Sequence, residues 1–303
     1  MGATGMLSHM RIGIHIPPTI RPERLQALAA AAESSGLDEL WVWEDSFKQS
    51  GVASATAALA ATHRITVGIS LLPAPLRNPA LTAMEFATIE RMFPGRFVAG
   101  IGHGVQEWMA QAGVRAASPL TLLREQATAI RALLSGEEVS VRGRYVHLDR
   151  VRLEWPPVSP PPLMIGGSGP KSIALAAEIG DGNLLTNALT DEEVRSLITA
   201  IGDARTAAGR GGEPVTVAAA QIVATGPQAQ ARLDRELPLW GGRPGTGVGV
   251  AGDAAAVAAS AERYRSYGIT SYGIQPTADE PDLEGFIGFI GGQVMPLVTR
   301  PTP

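Results

Sequence analysis

Several side chains that could take part in catalysis follow directly after short apolar runs. Glu44 and Asp45 follow one such run, His103 follows another between two glycines, and His15 lies near the end of the first. A histidine there can donate or accept a proton near neutral pH, and a carboxylate can orient a ligand. We therefore predict His103 and His15 as catalytic residues, with a structural hydrogen-bonding role as the alternative. Asp45 is the predicted pocket carboxylate, which leaves Glu44 to cap the next helix or pair with an arginine.

The Gly-Gly-Ser-Gly turn at residues 166–169 has the composition of an anion site. It lies between the apolar run 163–165 and a helix that begins with Pro170. Small residues leave backbone N–H groups open to a ligand, and the helix N-terminus carries partial positive charge, so a phosphate fits there. A plain tight turn is the alternative. The pattern differs from the G-x-G-x-x-G of nicotinamide-binding folds, and no acidic residue follows where a ribose would be bound.

Other catalytic chemistries lack the residues they need. The chain has no cysteine, which excludes disulfides, thiolate catalysis and Cys-ligated zinc. The 5 histidines are scattered and form no HxH or HxxxH pair, so no metal site is predicted. A serine hydrolase is not supported either, because no G-x-S-x-G motif is present.

Composition bounds the class of protein. The 303 residues are 45% hydrophobic and 18% charged, enough to bury a large core. A net charge of -4 without a basic run argues against nucleic-acid binding, and no apolar stretch is long enough to span a membrane. Residues 1–9 lack the basic end and apolar core of a signal peptide. We predict a cytoplasmic protein with residues 1–10 as an N-terminal extension and 11–303 as one domain.

Short β-rich runs alternate with amphipathic helical runs. This alternation, with nearly continuous apolar strands, indicates a parallel sheet covered by helices, and eight units favour a (β/α)8 TIM barrel, an α/β fold. Residues 139–153 alternate with period two and predict a β-hairpin inserted after the fourth helix. The Gly-rich stretch 240–250 predicts a mobile loop near the barrel mouth that helps select the substrate. The predicted strands are 11–16, 39–43, 65–70, 97–101, 163–165, 183–185, 215–223 and 271–274.

In such a barrel the active site lies at the C-terminal ends of the strands, so the residues named above would meet there. Apolar side chains predicted to line the substrate pocket are Trp43, Phe47, Leu72 and Trp108. An apolar pocket next to a phosphate turn suits a large planar phosphorylated cofactor.

Four segments, in this order and each at a predicted strand end, carry a resemblance to a known family. The segments are LWVWEDSF (40–47), GISLLPAPLRNP (68–79), FPGRFVAGIGHG (93–104), and IGGSGP (165–170) followed by Asp181-Gly182. With them the chain resembles the luciferase-like monooxygenase superfamily, and within it the oxidoreductases that use the deazaflavin coenzyme F420. The similarity extends from Arg11 to about Val298.

The resemblance implies a TIM barrel that holds F420 in its mouth, with FMN as the alternative cofactor, and a homodimer. It implies a non-prolyl cis peptide at or next to Ser70–Leu71, where the chain would lie against the face of the cofactor ring. The cofactor contacts it implies are Asp45, Ser70, Leu71, His103, Gly104, the phosphate turn at Gly167, Ser168 and Gly169, and Thr186.

Two departures from the family pattern argue against one activity. In the F420-dependent sugar-phosphate dehydrogenases a histidine follows the aspartate that matches Asp45, and here that residue is Ser46. Their acidic residue after the fourth strand is Val105 here, and their substrate-phosphate lysines are missing. Glucose-6-phosphate dehydrogenase activity is therefore not expected.

The predicted reaction is hydride transfer between C5 of F420 and a small, apolar organic substrate. His103 or His15 would handle the accompanying proton, and Asp45 would orient the cofactor. A monooxygenase using reduced FMN from a separate reductase is the first alternative, and a cofactor-binding barrel without catalysis is the second. Cations that could favour the more acidic F420 are Lys171, Arg142 and Arg144.

Overall fold

The computed structural model describes residues 10–298, which form a closed parallel barrel. The predicted (β/α)8 fold is confirmed, since eight strands pair in the order β1-β2-β3-β5-β8-β9-β10-β12 and β12 returns to β1. Two short strands, β4 and β11, pair with the C-terminal ends of β5 and β10 at the barrel mouth. Strands β6 and β7 form a separate antiparallel pair. The strands are β1 Arg11–His15, β2 Glu39–Val42, β3 Thr66–Ile69, β4 Leu72–Pro73, β5 Phe97–Gly102, β6 Val139–Arg142, β7 His147–Val151, β8 Leu163–Gly166, β9 Gly182–Leu184, β10 Thr216–Ala224, β11 Val250–Ala251 and β12 Ser271–Pro276.

Helices cover the outside of the barrel. Pro79 and Pro119 occupy the first positions of α3 and α5, where a missing N–H costs nothing. No helix within residues 10–298 is long and apolar enough to cross a membrane. The helices are α1 Leu25–Ser34, α2 Gly51–Ala60, α3 Pro79–Met92, α4 Gln106–Gln111, α5 Pro119–Leu134, α6 Pro170–Ile179, α7 Asp191–Ala207, α8 Ala229–Glu236, α9 Ala254–Tyr267 and α10 Leu283–Phe289.

The predicted hairpin insertion is present as the antiparallel pair β6–β7. It follows the helix predicted as the fourth, which is α5 here because the short α4 precedes it. The Glu125 carboxylate on α5 accepts the backbone N–H groups of Arg144, Tyr145 and Val146, which fastens the hairpin turn to the barrel. Of the predicted N-terminal extension, Met10 is buried in the core. Residues 1–9, and 299–303 of the predicted domain, lie outside the described residues.

Successive side chains of each strand point alternately into the barrel and toward the helices, and this alternation decides which residues fill the barrel interior. Trp41 lies in the middle of the interior, and its ring occupies space that β3 leaves free, because a Cβ on Gly68 would come within 2.2 Å of it. Trp41 packs with Val98, Met164 and inward residues of β9 and β10 in a cluster separate from the main core. Above this cluster β8 and β10 carry only small residues, Gly166 and Ala220, so the barrel opens into a cavity.

Candidate active site

The cavity at the C-terminal mouth of the barrel has a volume of about 630 Å³. This is within the usual range for a ligand site. Most of the predicted site residues line it: His15, Trp43, Asp45, Ser70, Leu71, His103, Gly104, Trp108, Gly167 and Thr186.

Two predicted pocket residues lie elsewhere, and the prediction for them is wrong in this structure. Leu72 is 1% exposed and belongs to the core between barrel and helices, because Leu71, one residue earlier, takes the direction that faces the cavity. Phe47 is 69% exposed. A turn closed by the Lys48 N–H and the Asp45 carbonyl oxygen, 2.8 Å apart, carries Phe47 away from the cavity lining.

The phosphate turn predicted at residues 166–169 is only partly in the cavity wall. Gly166 and Gly167 line the cavity, whereas Ser168 and Gly169 continue beyond the lining to the start of α6. Ser168 Oγ lies 3.4 Å from Thr186 Oγ1, so the turn stays next to the end of β9. A Cβ on Gly169 would meet nothing within 4 Å, which leaves the turn open on its outer side.

On the β3 side, the chain projects one apolar side chain into the cavity. The predicted cis peptide is present at Ser70–Leu71, and a second non-prolyl cis peptide joins Ser46 and Phe47. Leu71 fits there because its neighbours lack side chains: a Cβ on Gly102 or Gly166 would lie 2.5 or 2.2 Å from a Leu71 methyl carbon. Ser70 Oγ is buried and forms no hydrogen bond with any described residue.

His103 connects β5 to the start of α6. Its Nε2 lies 2.9 Å from Ser172 Oγ, and its Nδ1 is buried. Burial lowers the pKa of His103, and the backbone of Pro119 opposes this in part. The imidazole is therefore biased toward its neutral form at physiological pH.

The β1–β2 side of the cavity is aromatic. The His15 ring lies between Trp41 and Trp43, with centroid distances of 6.0 and 6.3 Å. Trp43 in turn contacts Trp240 edge to face at 5.9 Å. Burial among these rings lowers the pKa of His15 to about 3, so the imidazole is neutral at physiological pH.

The two adjacent carboxylates after β2 have different partners. Glu44 accepts the N–H of Gly51 at the start of α2 and pairs with Arg77, which confirms the predicted helix-capping and arginine-pairing role. Asp45 pairs with Lys48 at 2.9 Å near the rim. Among the described residues, Glu44 and Asp45 are the only Asp or Glu in the lining, and no lysine or arginine lines it.

Four polar or aromatic lining residues were not predicted: Trp41, described above, and Asn187, Trp240 and Gln275. Asn187 lies after β9 and Gln275 near the C-terminal end of β12, and their side-chain amides hydrogen bond to each other. Their place at the C-terminal ends of strands was a usable signal. Trp240 begins the Gly-rich stretch predicted at the mouth, but it packs across the cavity on a residue almost two hundred positions away, which no local pattern indicates.

Other predicted groups remain outside the cavity. Arg142 and Arg144 on the hairpin are not lining residues, and the Arg144 guanidinium lies over the ring of Tyr145 at 5.3 Å. Lys171 is exposed as the second residue of α6, beside the glycine turn. No group of three His, Cys, Asp or Glu side chains within residues 10–298 is arranged to hold a metal ion.

Comparison with known proteins gives three kinds of match. A family model described as luciferase-like monooxygenase matches residues 4–291. The chain is 30% identical over 211 residues to the 5,10-methylenetetrahydromethanopterin reductase of Methanolobus tindarius, covering 69% of this chain and 64% of that protein. It is 32% identical over 180 residues to the F420-dependent glucose-6-phosphate dehydrogenase of Nakamurella multipartita, covering 55% and 52%. The alignments thus span between about half and two thirds of these relatives.

A solved structure shares the fold over nearly the whole chain. An F420-dependent secondary alcohol dehydrogenase in complex with an F420-acetone adduct superimposes with a TM-score of 0.84 at 22% identity, covering 96% of this chain and 99% of the other. At this identity the likeness establishes the architecture alone.

Proposed function

Because the chain belongs to the luciferase-like monooxygenase family, we propose that it is an F420-dependent oxidoreductase acting on a small, uncharged organic substrate. The observation that carries the proposal is the continuity of the cavity, which extends from Trp41 to the glycine turn through Gly166 and Gly167. A planar ring system can lie in the apolar part while its phosphate reaches the start of α6. The relative named as F420-dependent supports this choice of cofactor over others with the same general shape.

The residues present fit such a cofactor. Ser70 Oγ is a buried polar atom at the cavity without a partner among the described residues, and it can hydrogen bond to a polar edge of the ring. The open outer side of Gly169 leaves room for a phosphate at the α6 N-terminus. Lys171 adds a positive charge next to it.

When bound, F420 would supply the hydride donor or acceptor at C5. Leu71 would support one face of the ring and leave the opposite face to the substrate. The protein would thereby align the substrate with C5 of the cofactor. In the reducing direction a carbonyl carbon gains the hydride and its oxygen gains a proton; in the oxidising direction both leave the alcohol. His103 is the better proton carrier, because a pKa of about 3 leaves His15 a hydrogen-bonding group only.

A parallel titration with oxidised F420 and FMN tests the proposal. We expect F420 to bind at least tenfold more tightly than FMN, followed by F420 absorbance changes with neutral ketones or alcohols. Binding of F420 with no turnover of any substrate would favour a cofactor-binding barrel without catalysis. Binding of neither cofactor would refute the proposal.

An FMN-dependent monooxygenase is the second candidate, and one observation favours it. No lysine or arginine lines the described cavity, and FMN carries less negative charge than F420. Such an enzyme would need a separate reductase to supply reduced FMN. A preference for FMN in the same titration, with substrate oxygenation after photoreduction of the flavin, would select this candidate.

We also propose that the protein acts as a homodimer. The outward face of α3 carries the exposed apolar side chains Leu81, Met84 and Met92, which a second copy could cover. Light scattering coupled to size-exclusion chromatography would give about twice the 31.6 kDa of the chain. A mass equal to one chain would contradict the dimer.

A further inference from the structure

The aromatic side of the cavity depends on a residue that does not line it. Glu236, at the end of α8, is 7% exposed and uses both carboxylate oxygens. One accepts the indole N–H of Trp240 at 2.8 Å, and the other accepts the backbone N–H of Ala278 at 3.0 Å. Glu236 therefore fixes the Trp240 ring relative to the loop that follows β12.

A second set of contacts holds the same segment in place. Arg232 on α8 donates to Thr277 Oγ1 at 2.7 Å and pairs with Asp279 and Glu280 in the loop after β12. Trp240 also packs against a small cluster that includes Leu237. The indole is thus held by Glu236, by this cluster and by the Trp43 ring before any ligand enters, so it forms part of a rigid wall.

On this side the two lining carboxylates, Glu44 and Asp45, are paired with Arg77 and Lys48, and the other polar groups are uncharged. Asn187 and Gln275 present neutral amides, and the depressed pKa of His15 keeps its imidazole neutral. A carboxylate or phosphate buried against this wall would lose its hydration without a cationic partner, which is costly. A carbonyl or hydroxyl oxygen, in contrast, can hydrogen bond to the amides.

We propose that this wall binds an uncharged substrate in which an aromatic or conjugated ring is attached to a carbonyl or hydroxyl carbon. The ring packs against Trp43 and Trp240, and the oxygen faces Asn187, Gln275 and His15. Trp240 determines specificity through this contact, and Glu236 is its positioning residue. The inference rests on the proposed function, which assigns the opposite wall to the cofactor and makes the ring-bearing carbon the site of hydride transfer.

Three ketones of similar size test the chemistry of the wall. Acetophenone carries the ring, cyclohexyl methyl ketone has the ring saturated, and 4-acetylbenzoate adds a charge. We expect acetophenone to bind about fivefold more tightly than the saturated ketone and at least tenfold more tightly than the carboxylate, by calorimetry on the protein with and without F420. Equal affinities, or a preference for 4-acetylbenzoate, would overturn the proposal.

Variants then assign the residues. In Trp240→Leu, acetophenone should lose its advantage over cyclohexyl methyl ketone while F420 affinity stays within twofold. Trp155→Leu is the matched control, because that indole is 65% exposed and lies outside the cavity lining. It should leave all three affinities unchanged. An advantage that persists in Trp240→Leu would remove Trp240 from the specificity role.

The role of Glu236 needs a readout that simple destabilisation would not produce. Glu236→Ala should change the near-ultraviolet tryptophan circular dichroism and weaken acetophenone binding as Trp240→Leu does, whereas Glu236→Gln, which keeps an acceptor, should restore much of both. Equal behaviour of the two variants at equal melting temperature would contradict a positioning role. If F420 fails to bind while the ring preference remains, the proposed function fails and the wall assignment stands.

Discussion

The two sides of the cavity are built in opposite ways. Toward β3, β5 and β8 much of the wall is backbone and small residues, with Leu71 projecting between Gly102 and Gly166 and with His103 and Trp108 beyond the end of β5. Toward β1, β2 and the end of α8 it consists of large rings, His15, Trp43 and Trp240. One side admits a ligand by leaving space, and the other contacts it through side chains.

This difference separates two tasks. A wall of backbone and glycine can approach a large flat cofactor closely, and its shape changes little from one ligand to another. A wall of aromatic side chains provides contact area whose shape depends on each ring, so it discriminates among smaller molecules. Changes on the glycine side should therefore affect cofactor binding, and changes on the aromatic side should affect substrate binding.

The largest effect should come from Gly167→Ala, which adds a side chain to the wall formed by β3, β5 and β8. Gly167 has φ +143°, a conformation that L residues rarely adopt, and its Cβ would lie 2.8 Å from the Ser172 Cβ. Ser172 is the partner of His103, so the distortion reaches the cavity. We expect a loss of about 3 kcal/mol in the free energy of unfolding and at least tenfold weaker F420 binding, measured by urea denaturation and fluorescence titration.

Gly169→Ala is the stability control for that experiment. Gly169 lies in the same turn, but its φ is -75° and its added Cβ would have no neighbour within 4 Å. Its melting temperature should match the wild type. A similar loss of stability in both variants would mean that the turn tolerates no added side chain at either position. That result would contradict the claim that the positive φ of Gly167 causes the loss.

An intermediate effect should appear on the aromatic side as the pH falls. The pKa of His15 is lowered from 6.5 to about 3 in the folded protein, so between these values the unfolded chain binds the extra proton. Stability must then decrease as the pH drops below 6.5. Compared with His15→Asn, the wild type should lose about 2 kcal/mol more between pH 6.5 and 4.5 in urea denaturation. Equal losses would show that His15 is protonated in the folded state.

The smallest effect should come from the exposed cation beside the glycine turn. Lys171→Ala should weaken F420 binding about threefold at low salt, with the difference shrinking as ionic strength screens the charge. FMN binding should change less, because FMN carries fewer negative charges. Arg64→Ala is a suitable control, since that exposed arginine precedes β3, at the end of the barrel opposite the mouth. A larger effect on FMN than on F420 would show that the additional negative charges of F420 do not lie near Lys171.

Residues near strand ends were predicted well where strand alternation alone decides their direction. Trp43 lies two positions after the inward Trp41, and His15 lies two positions after Gly13 of the same strand. Both side chains reach the cavity as expected. Leu72 and Phe47 were not predicted well, because they lie beyond the ends of β3 and β2, Leu72 in the separate short strand β4, and the chain direction there depends on the turn that follows each strand. Apolar character by itself does not separate a pocket wall from core or surface.

The sequence by itself determined the barrel, the hairpin and the glycine turn before α6, because each follows from periodicity and local backbone preferences. The tertiary structure alone decided that Trp240 meets Trp43, that Asn187 meets Gln275, and that His15 is neutral. These properties arise where segments distant in sequence converge at the barrel mouth. Contact geometry and desolvation exist only after the barrel has closed, so no local pattern could contain them.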